Sequence, residues 1–568
     1  MSLARAIILG LVVGLLQGFV DTYGYAVTGY TTAEIAGIVS AIIFLVAYRV
    51  IFRETPSVFE HFLGVIIASG ISISTTITAG MYITYTMLNT YGDTATLELP
   101  SWTYYVGSLS IDVLLFYSYA TAVSVSGSLI AYVFYKHYIE KEKLPYPIGS
   151  SIARVIQVGK VLKREYLALA LSIGFLTQLS LMYLGGLTLD VTSVMQKIIP
   201  GAALALTLDV FVLMLAILIP LNTSLGIGIG NVLTYLLVTP LLASLGLLIS
   251  LPSLDNHALA TAAAPYIASL ISGFLIVASS YYMITGRGYF KTSLKYVYSS
   301  RYLMRYMLFS AILISSLVVP LIYLRKATTT MLLITPVLVA LHIFLTIFTL
   351  RVAGEAGTVS QATLPLATLT LFLSGARGAT PYVLLDPYTG VPMPQFVAAN
   401  TLNYVKAGKT LEVRAEVATF SLALLMLLGA PITLLYGHTL LNTFGLTSPK
   451  LNLLRWVPLV MWMNNLYKGD LSSFNLYSIL TGLFLAFLLI IVFRFLGLSN
   501  ISLFGILIGV TLTPDLGILF LIASIIKYVA FRIGVDVYES LITYSSLVLA
   551  GAGLGVATSV LMSLAGVL

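Results

Sequence analysis

An all-α polytopic membrane protein is predicted by three features of the sequence: 59% of its residues are hydrophobic, only 9% are charged, and its mean hydropathy is +1.01 over 568 residues. Soluble globular domains carry roughly 25% charged residues, so a soluble enzyme is excluded. At about 20 apolar residues per bilayer crossing, the length accommodates about 14–17 transmembrane helices joined by mostly short connections, with no extramembrane domain. Apolar runs of membrane length fall at roughly 5–28, 34–52, 59–88, 101–135, 165–188, 200–220, 224–250, 258–285, 303–324, 328–350, 358–376, 415–436, 453–465, 476–497, 501–522 and 540–566.

The first run follows Met1–Arg5 in the manner of a signal peptide, but it continues past Val20 and more spans follow, so it reads as the first membrane helix. Its Gly10, Gly14 and Gly18 share one face and admit a close helix neighbour, within the protomer or across a homodimer. The connections then sort by sign. Basic residues collect in 49–57 (Arg49, Arg53), in 136–164 (seven, from Lys136 to Arg164) and in 285–305 (Arg287, Lys291, Lys295, Arg301, Arg305), which predicts that these loops are cytoplasmic. The loops 89–100, with Asp93 and Glu98, and 251–258, with Asp255, hold no Lys or Arg and are expected outside. Counting spans from an N-terminus held inside by Arg5 gives the same alternation, as expected for a multi-pass protein of the cell membrane. In the second half Arg325 and Lys326 fall on the wrong side, so a span there is miscounted or re-entrant, and the short run 453–465 is the suspect.

An internal echo suggests duplication. Gly226, Gly228, Gly230 and Pro240 are answered by Gly505, Gly509 and Pro514, each group followed by a long helix with small residues, 258–285 and 540–566. Repeated halves are how many secondary transporters are built, with the substrate near mid-membrane at the repeat interface.

Enzymatic chemistry has little to stand on. Cysteine is absent, which removes disulfides, thiolate nucleophiles and Cys-ligated metal centres. Gly408-Lys409-Thr410 resembles the end of a P-loop, but the first glycine position is Asn403. The five histidines form no H-E-x-x-H pair, and no G-x-S-x-G elbow occurs. No enzyme activity, cofactor or metal is expected, nor is nucleic acid as a partner, although the formal charge is +8. The expected partners are the lipid bilayer, protons and a small-molecule or peptide substrate.

Ionisable residues inside apolar runs cost about 2.5–3.5 kcal/mol each at a helix centre and are functional candidates by default. Asp21 lies on the small-residue face of the first helix, as a proton carrier or as a hydrogen-bonded structural acid. Asp112 stacks with Ser108, Tyr105 and Tyr119 in a polar stripe that lines a path or satisfies a buried carboxylate. Asp209 is a further proton-site candidate in mid-span. Glu34 and Glu60 sit at helix starts, where the dipole favours a carboxylate. Arg351 and Glu355 are four apart, so they neutralise one another or clamp a substrate carboxylate. Asn222 to Asn231, with three glycines after Pro220, favour a broken helix with free backbone groups beside protein or a cavity. In Leu144-Pro145-Tyr146-Pro147-Ile148-Gly149-Ser150, two prolines force an extended entry, after which Gly149 and Ser150 open a helix whose N–H groups face a cavity or an anion. Arg154 and Arg351 are expected to attract a substrate carboxylate, while the backbone around Tyr146, Gly149, Ser150, Asn222 and Asn231 contacts its polar groups.

Four segments resemble the oligopeptide transporter (OPT) family, which includes the yellow stripe-like metal-chelate transporters. Leu144, Pro145, Tyr146, Pro147, Gly149 and Ala153 are similar to its L-P-[FY]-P-S-G-T-A-x-A signature, with Ile148 and Ser151 departing from it and Ser150 in the place of Thr. Arg351-Val352-Ala353-Gly354-Glu355-Ala356-Gly357 resembles its R-x-x-G-x-x-G. The run Ala398, Leu402, Asn403, Lys406, Gly408 and Leu411 resembles its Q-D-L-K-T-G-x-x-L stretch, with Tyr404 replacing the Asp, and Gly551 to Gly555 resemble its closing small-residue helix. The resemblance implies about 16 helices in two related halves, 1–300 and 301–568, and proton-coupled import of short oligopeptides or metal chelates, with a homodimer as its assembly. The N-P-G and K-I-P-P-R signatures of the peptide-transporting branch are missing. The alternatives are an ion-coupled carrier of another small solute, such as an amino acid, and a channel.

Overall fold

The computed structural model describes residues 2–28, 33, 35–92, 109–161, 164–184, 186–248, 254–285, 329–357, 363–391, 393–446, 448, 451, 457–470, 473–498 and 500–565. In chain order the first helices are α1 (Ser2–Thr28), α2 (Ala36–Phe52) and α3 (Val58–Thr75), which runs through a π turn into α4 (Met81–Tyr91). Then come α5 (Ile111–Tyr135), α6 (Pro147–Val161) and α7 (Arg164–Tyr183). A small hairpin of β1 (Thr188–Asp190) and β2 (Ala205–Thr207) encloses α8 (Thr192–Ile198). Next are α9 (Val210–Leu218), α10 (Leu221–Leu233), α11 (Thr239–Ser244) and α12 (Asn256–Thr285). The second half holds α13 (Thr329–Ala356), α14 (Pro365–Leu373), α15 (Ala379–Leu385), α16 (Pro394–Thr410), α17 (Ala415–Phe444) and α18 (Val457–Lys468). It closes with α19 (Leu476–Phe495), α20 (Leu503–Thr511), α21 (Pro514–Ile533) and α22 (Val535–Leu564).

Among the described residues, 11 helices are long and apolar enough to cross a bilayer, so the chain is an all-α, multi-pass membrane protein. Their outward faces carry Leu16, Leu424, Phe484 and Phe531, as a lipid-facing surface requires. The helix starts follow ordinary capping chemistry. Ser57 and Glu60 form a reciprocal capping box at α3, which gives Glu60 the helix-start role its position suggests.

Several expected spans are shorter pieces. The run 200–220 is not one span: Thr188 pairs with Thr207 in the hairpin, and α9 stops before Pro220, which has no N–H to continue it. The runs 358–376 and 453–465 yield only the nine-residue α14 and the 12-residue α18, neither long enough to cross alone. Nor does the Asn222–Asn231 segment break. The break lies at Ile219 and Pro220, and the helix then continues through a π turn to Ser244. Glu34, Asp93, Glu98, Tyr105, Ser108, Arg325, Lys326 and the basic loop from Arg287 to Arg305 lie outside the described residues.

The glycines of that segment serve packing. A Cβ at Gly230 would stand 2.1 Å from the Ile506 carbonyl oxygen, and one at Gly509 would stand 1.9 Å from that of Ile227. Gly226 meets Ser502 and Gly505 meets Thr223 in the same reciprocal way, so the two glycine groups of the sequence echo are pressed together where α10 crosses α20. Two more crossings repeat the device. Gly174 of α7 and Gly551 of α22 each abut the other helix's backbone, as do Gly273 of α12 and Gly482 of α19. Each crossing joins an early helix to a late one. The Gly10 and Gly14 face of α1 packs on Gly64 and Ala68 of α3, within the protomer.

Candidate functional site

Three segments far apart in the sequence meet at one junction: the Leu144–Arg154 stretch, the Arg351–Gly357 end of α13 and α16. Tyr146, fully buried at φ +44°, donates its hydroxyl to Leu350 O (2.8 Å) and its N–H to Gly354 O (2.9 Å). Asn403 of α16 ties the other two together, accepting from Gly149 N (3.2 Å) and donating to Gly357 O (2.9 Å). A Cβ on Gly149 would lie 2.1 Å from Asn403 O, and one on Gly354 2.6 Å from the Leu144 side chain. Ser150 donates its hydroxyl to Pro145 O (2.7 Å). The Gly149 and Ser150 N–H groups, expected to face an anion, are therefore taken by Asn403 and Tyr146. The hydroxyl end of Tyr404 reaches Gly37 of α2, where a Cβ would come within 2.6 Å of it.

Beside the junction lies a charged network. Arg351 donates to Glu142 and pairs with Glu355 (3.1 Å), while its guanidinium stacks 4.3 Å from the centre of the Tyr282 ring. Glu142 also faces His137 Nε2 (2.7 Å) and accepts from Tyr282 (3.2 Å), and Glu355 accepts from Ser502 at the start of α20 (2.5 Å). Arg351 is thus occupied by carboxylates of its own chain, so a substrate carboxylate would have to compete with them. Burial pushes the Glu142 carboxyl up, but the His137 hydrogen bond and the Arg351 charge outweigh it and hold it below the ordinary carboxylate value.

Arg351→Gln strands Glu142 and Glu355 half-dry, and the expected cost is about 3 kcal/mol, the lower end for orphaning a buried charge. Because Glu142 is depressed in the fold, its contribution is present above the unfolded carboxylate value and fades as pH falls through the lower folded one. Thermal unfolding in detergent from about pH 7 down to about pH 3 is expected to show this acid loss in wild type and not in Glu142→Gln.

Further along α13, a small, partly open cleft of about 30 Å³, room for a water or two, lies between α5, α13, α15 and the start of α16. Its polar lining is Tyr119, Ser126, His342 and Thr346. His342 Nε2 donates to Leu385 O (2.6 Å), which leaves Nδ1 to accept from Gln395 (3.3 Å). Next in sequence to Leu385, Asp386 is fully buried and accepts from Thr368 (2.8 Å to each oxygen), Thr389 (2.5 Å) and Tyr388 N (2.9 Å). The cleft and the charged network share α13, with His342 and Arg351 nine residues apart, about 13 Å along the axis.

A second polar seam crosses α1, α2, α3 and α17. Asp21 is 1% exposed and accepts from Ser72 of α3. Gln17, one turn away, accepts from Ser40 (2.6 Å), and Thr433 of α17 meets Thr78 (2.7 Å) and Ser74 (3.1 Å).

The remaining candidates stand apart from these two regions. Asp112 is exposed in the first turn of α5, with Ser110 capping the helix just before it; Tyr105 and Ser108 of its expected stripe lie outside the described residues. Asp209 is the N-cap of α9, accepting from Val212 N (3.0 Å), rather than a mid-span acid. Arg154 reaches Glu539 (3.2 Å) and Thr543 (3.2 Å) of α22. Asn222 is exposed, and Asn231 donates to Gly509 O, Leu512 O and Thr513 O in the space that Gly517 leaves free. Sequence reading missed Asp386, His342, Glu142 and Lys527. The Asp386-Pro387-Tyr388-Thr389-Gly390 turn and a lone lysine in an apolar helix were the available signals.

No protein-family model and no curated protein matches this chain.

Proposed function

We propose that this protein is a secondary active transporter of the OPT type, which imports short oligopeptides or metal chelates with protons by alternating access between two related halves. The observation that carries the reading is the junction itself. Tyr146, Gly149, Gly354, Gly357 and Asn403 come from three of the segments that resemble the family, and they are joined there by direct hydrogen bonds. Buried carboxylates in membrane helices add support. Asp21 is the coupling residue in this reading, and the cleft around His342, widened in another facing state, receives the cargo. The missing peptide-branch signatures favour one alternative, an ion-coupled carrier of another small solute such as an amino acid.

The test is uptake into proteoliposomes of mixed short peptides and metal chelates, read by mass spectrometry with and without an inward proton gradient. Accumulation of one class only under the gradient is the expected result. Equilibration regardless of the gradient points to a facilitator, and flux that follows voltage without saturation points to a channel. Entry of neither class would refute the assigned cargo.

A further inference from the structure

Lys527 sits in α21 among Ile525, Ile526, Tyr528 and Val529, and its side chain is fully buried, at 0% exposed. Nζ donates to Ile219 O (2.6 Å) and Ala216 O (2.9 Å). Both carbonyls belong to the break after α9. In an unbroken helix the N–H of residue 220 would take the Ala216 carbonyl, but Pro220 has none. Ile219 is extended, at ψ 143°, so its carbonyl also leaves the helical ladder. Nζ replaces the missing donor at the C-terminal end of α9.

Among the described residues no counter-ion faces Nζ. The elements packed on α21 are α9, α10, β2, α12 and α22. The first three carry no ionisable side chain. From α12 come His257, Tyr266, Tyr281 and Tyr282; from α22 come Asp536, Tyr538, Glu539 and Tyr544; α21 itself holds Asp515, Tyr528 and Arg532. Lys527 bonds to none of them: Glu539 pairs with Arg154, Asp515 faces His257, and Asp209 caps the far end of α9. The neighbouring break shows that a charge is unnecessary for this task. Before Pro514 the Leu512 carbonyl accepts from the neutral amide of Asn231, which also reaches Gly509 O and Thr513 O, each of these already taken by a backbone N–H. Using lysine where an amide suffices marks a group whose charge matters.

We propose that Lys527 is a proton-binding site of the transport cycle, whose neutral amine latches α9 to α21 and whose protonation releases it. The inference rests on the transporter reading. The proton passes from water to Nζ as the latch opens; the neutral amine has two N–H donors for the two carbonyls, whereas the ammonium adds a third donor and a charge that the site leaves uncompensated. The segment Val210–Leu215 is only half-buried, so α9 is the partner with room to move. Because water holds the ammonium better than this counter-ion-free site does, proton binding favours the released state and shifts the balance between states.

The chain contains no cysteine, so nitroxides at Leu208→Cys and Phe531→Cys, both exposed positions, report the distance from α9 to α21 cleanly. Pulsed electron resonance in lipid nanodiscs from about pH 5 to about pH 9, with no substrate added, is expected to show two distance populations exchanging with pH. Lys527→Arg stays charged and is expected to hold the low-pH population throughout, and Lys527→Met the high-pH one. Pro220→Ala leaves the lysine in place but gives Ala216 its own amide, and should lose part of the pH response even if the lysine variants fail to fold. One population at every pH in wild type, or a wild-type titration in Lys527→Met, overturns the proposal. This measurement reads the helix and not the cargo, so its failure is separate from that of the transporter reading. In uptake assays Lys527→Met is expected to keep exchange and lose the roughly tenfold accumulation that one proton supports per pH unit.

Discussion

Asp21→Asn in proteoliposomes is expected to exchange substrate at the wild-type rate and to lose the share of accumulation up an inward proton gradient that one proton supports, about tenfold per pH unit. The substitution preserves shape, and the amide oxygen still accepts from the Ser72 hydroxyl, so the packing of α1 on α3 survives. What disappears is a group able to take up a proton. A transporter whose two facing states bind the proton equally gains nothing from a gradient, since only differential affinity shifts an equilibrium. The seam from Gln17 to Thr433 supplies hydroxyls and amides on both sides of Asp21. Full accumulation by Asp21→Asn would reduce this carboxylate to a hydrogen-bond acceptor. The pH response of α9 should persist in the variant, which separates this site from Lys527.

The largest loss of stability is expected from Gly509→Val. A Cβ there would lie 1.9 Å from Ile227 O and 2.9 Å from Asn231 N, both backbone atoms of α10 that no rotamer change can move. The helices would have to separate along the whole crossing, which also unseats Gly505 and Gly230 and the three carbonyls held by Asn231. Overpacking a close core costs about 1–3 kcal/mol, and this contact, backbone against backbone, should exceed the upper figure. The check is the monodisperse fraction after detergent extraction together with the unfolding temperature. Gly534→Ala serves as control, since a Cβ there meets nothing within 4 Å. Behaviour like the control would show that the α10 and α20 crossing is looser than drawn.

The class of fold was legible because bilayer length and apolar composition act on every helix alike. Helix starts were legible where the chemistry is local, as with Ser57 and Glu60. Judgements that needed partners failed. Gly226 to Gly230 read as a broken helix because glycine weakens a lone helix, yet here glycine is what lets α20 approach. Asp112 and Asp209 looked buried from the apolarity of their runs, but each stands at a helix start, where local capping decides its place. Arg351 with Glu355 was readable at i,i+4, whereas Glu142, two hundred residues earlier, was not. Lys527 escaped for a related reason. Its partners are carbonyls, which leave no mark on the side-chain pattern.

The pairing of early with late helices bears on how the protein is made. When α7 leaves the ribosome, the backbone that fills its Gly174 groove, in α22, has not been synthesised, and α12 likewise waits for α19. At about 5–20 residues per second the wait is on the order of tens of seconds. Throughout it, small-residue grooves stand open to lipid or to the insertion machinery. Assembly must therefore be largely post-insertional: the helices enter the bilayer in order, and the interlocked core closes only when the late helices arrive.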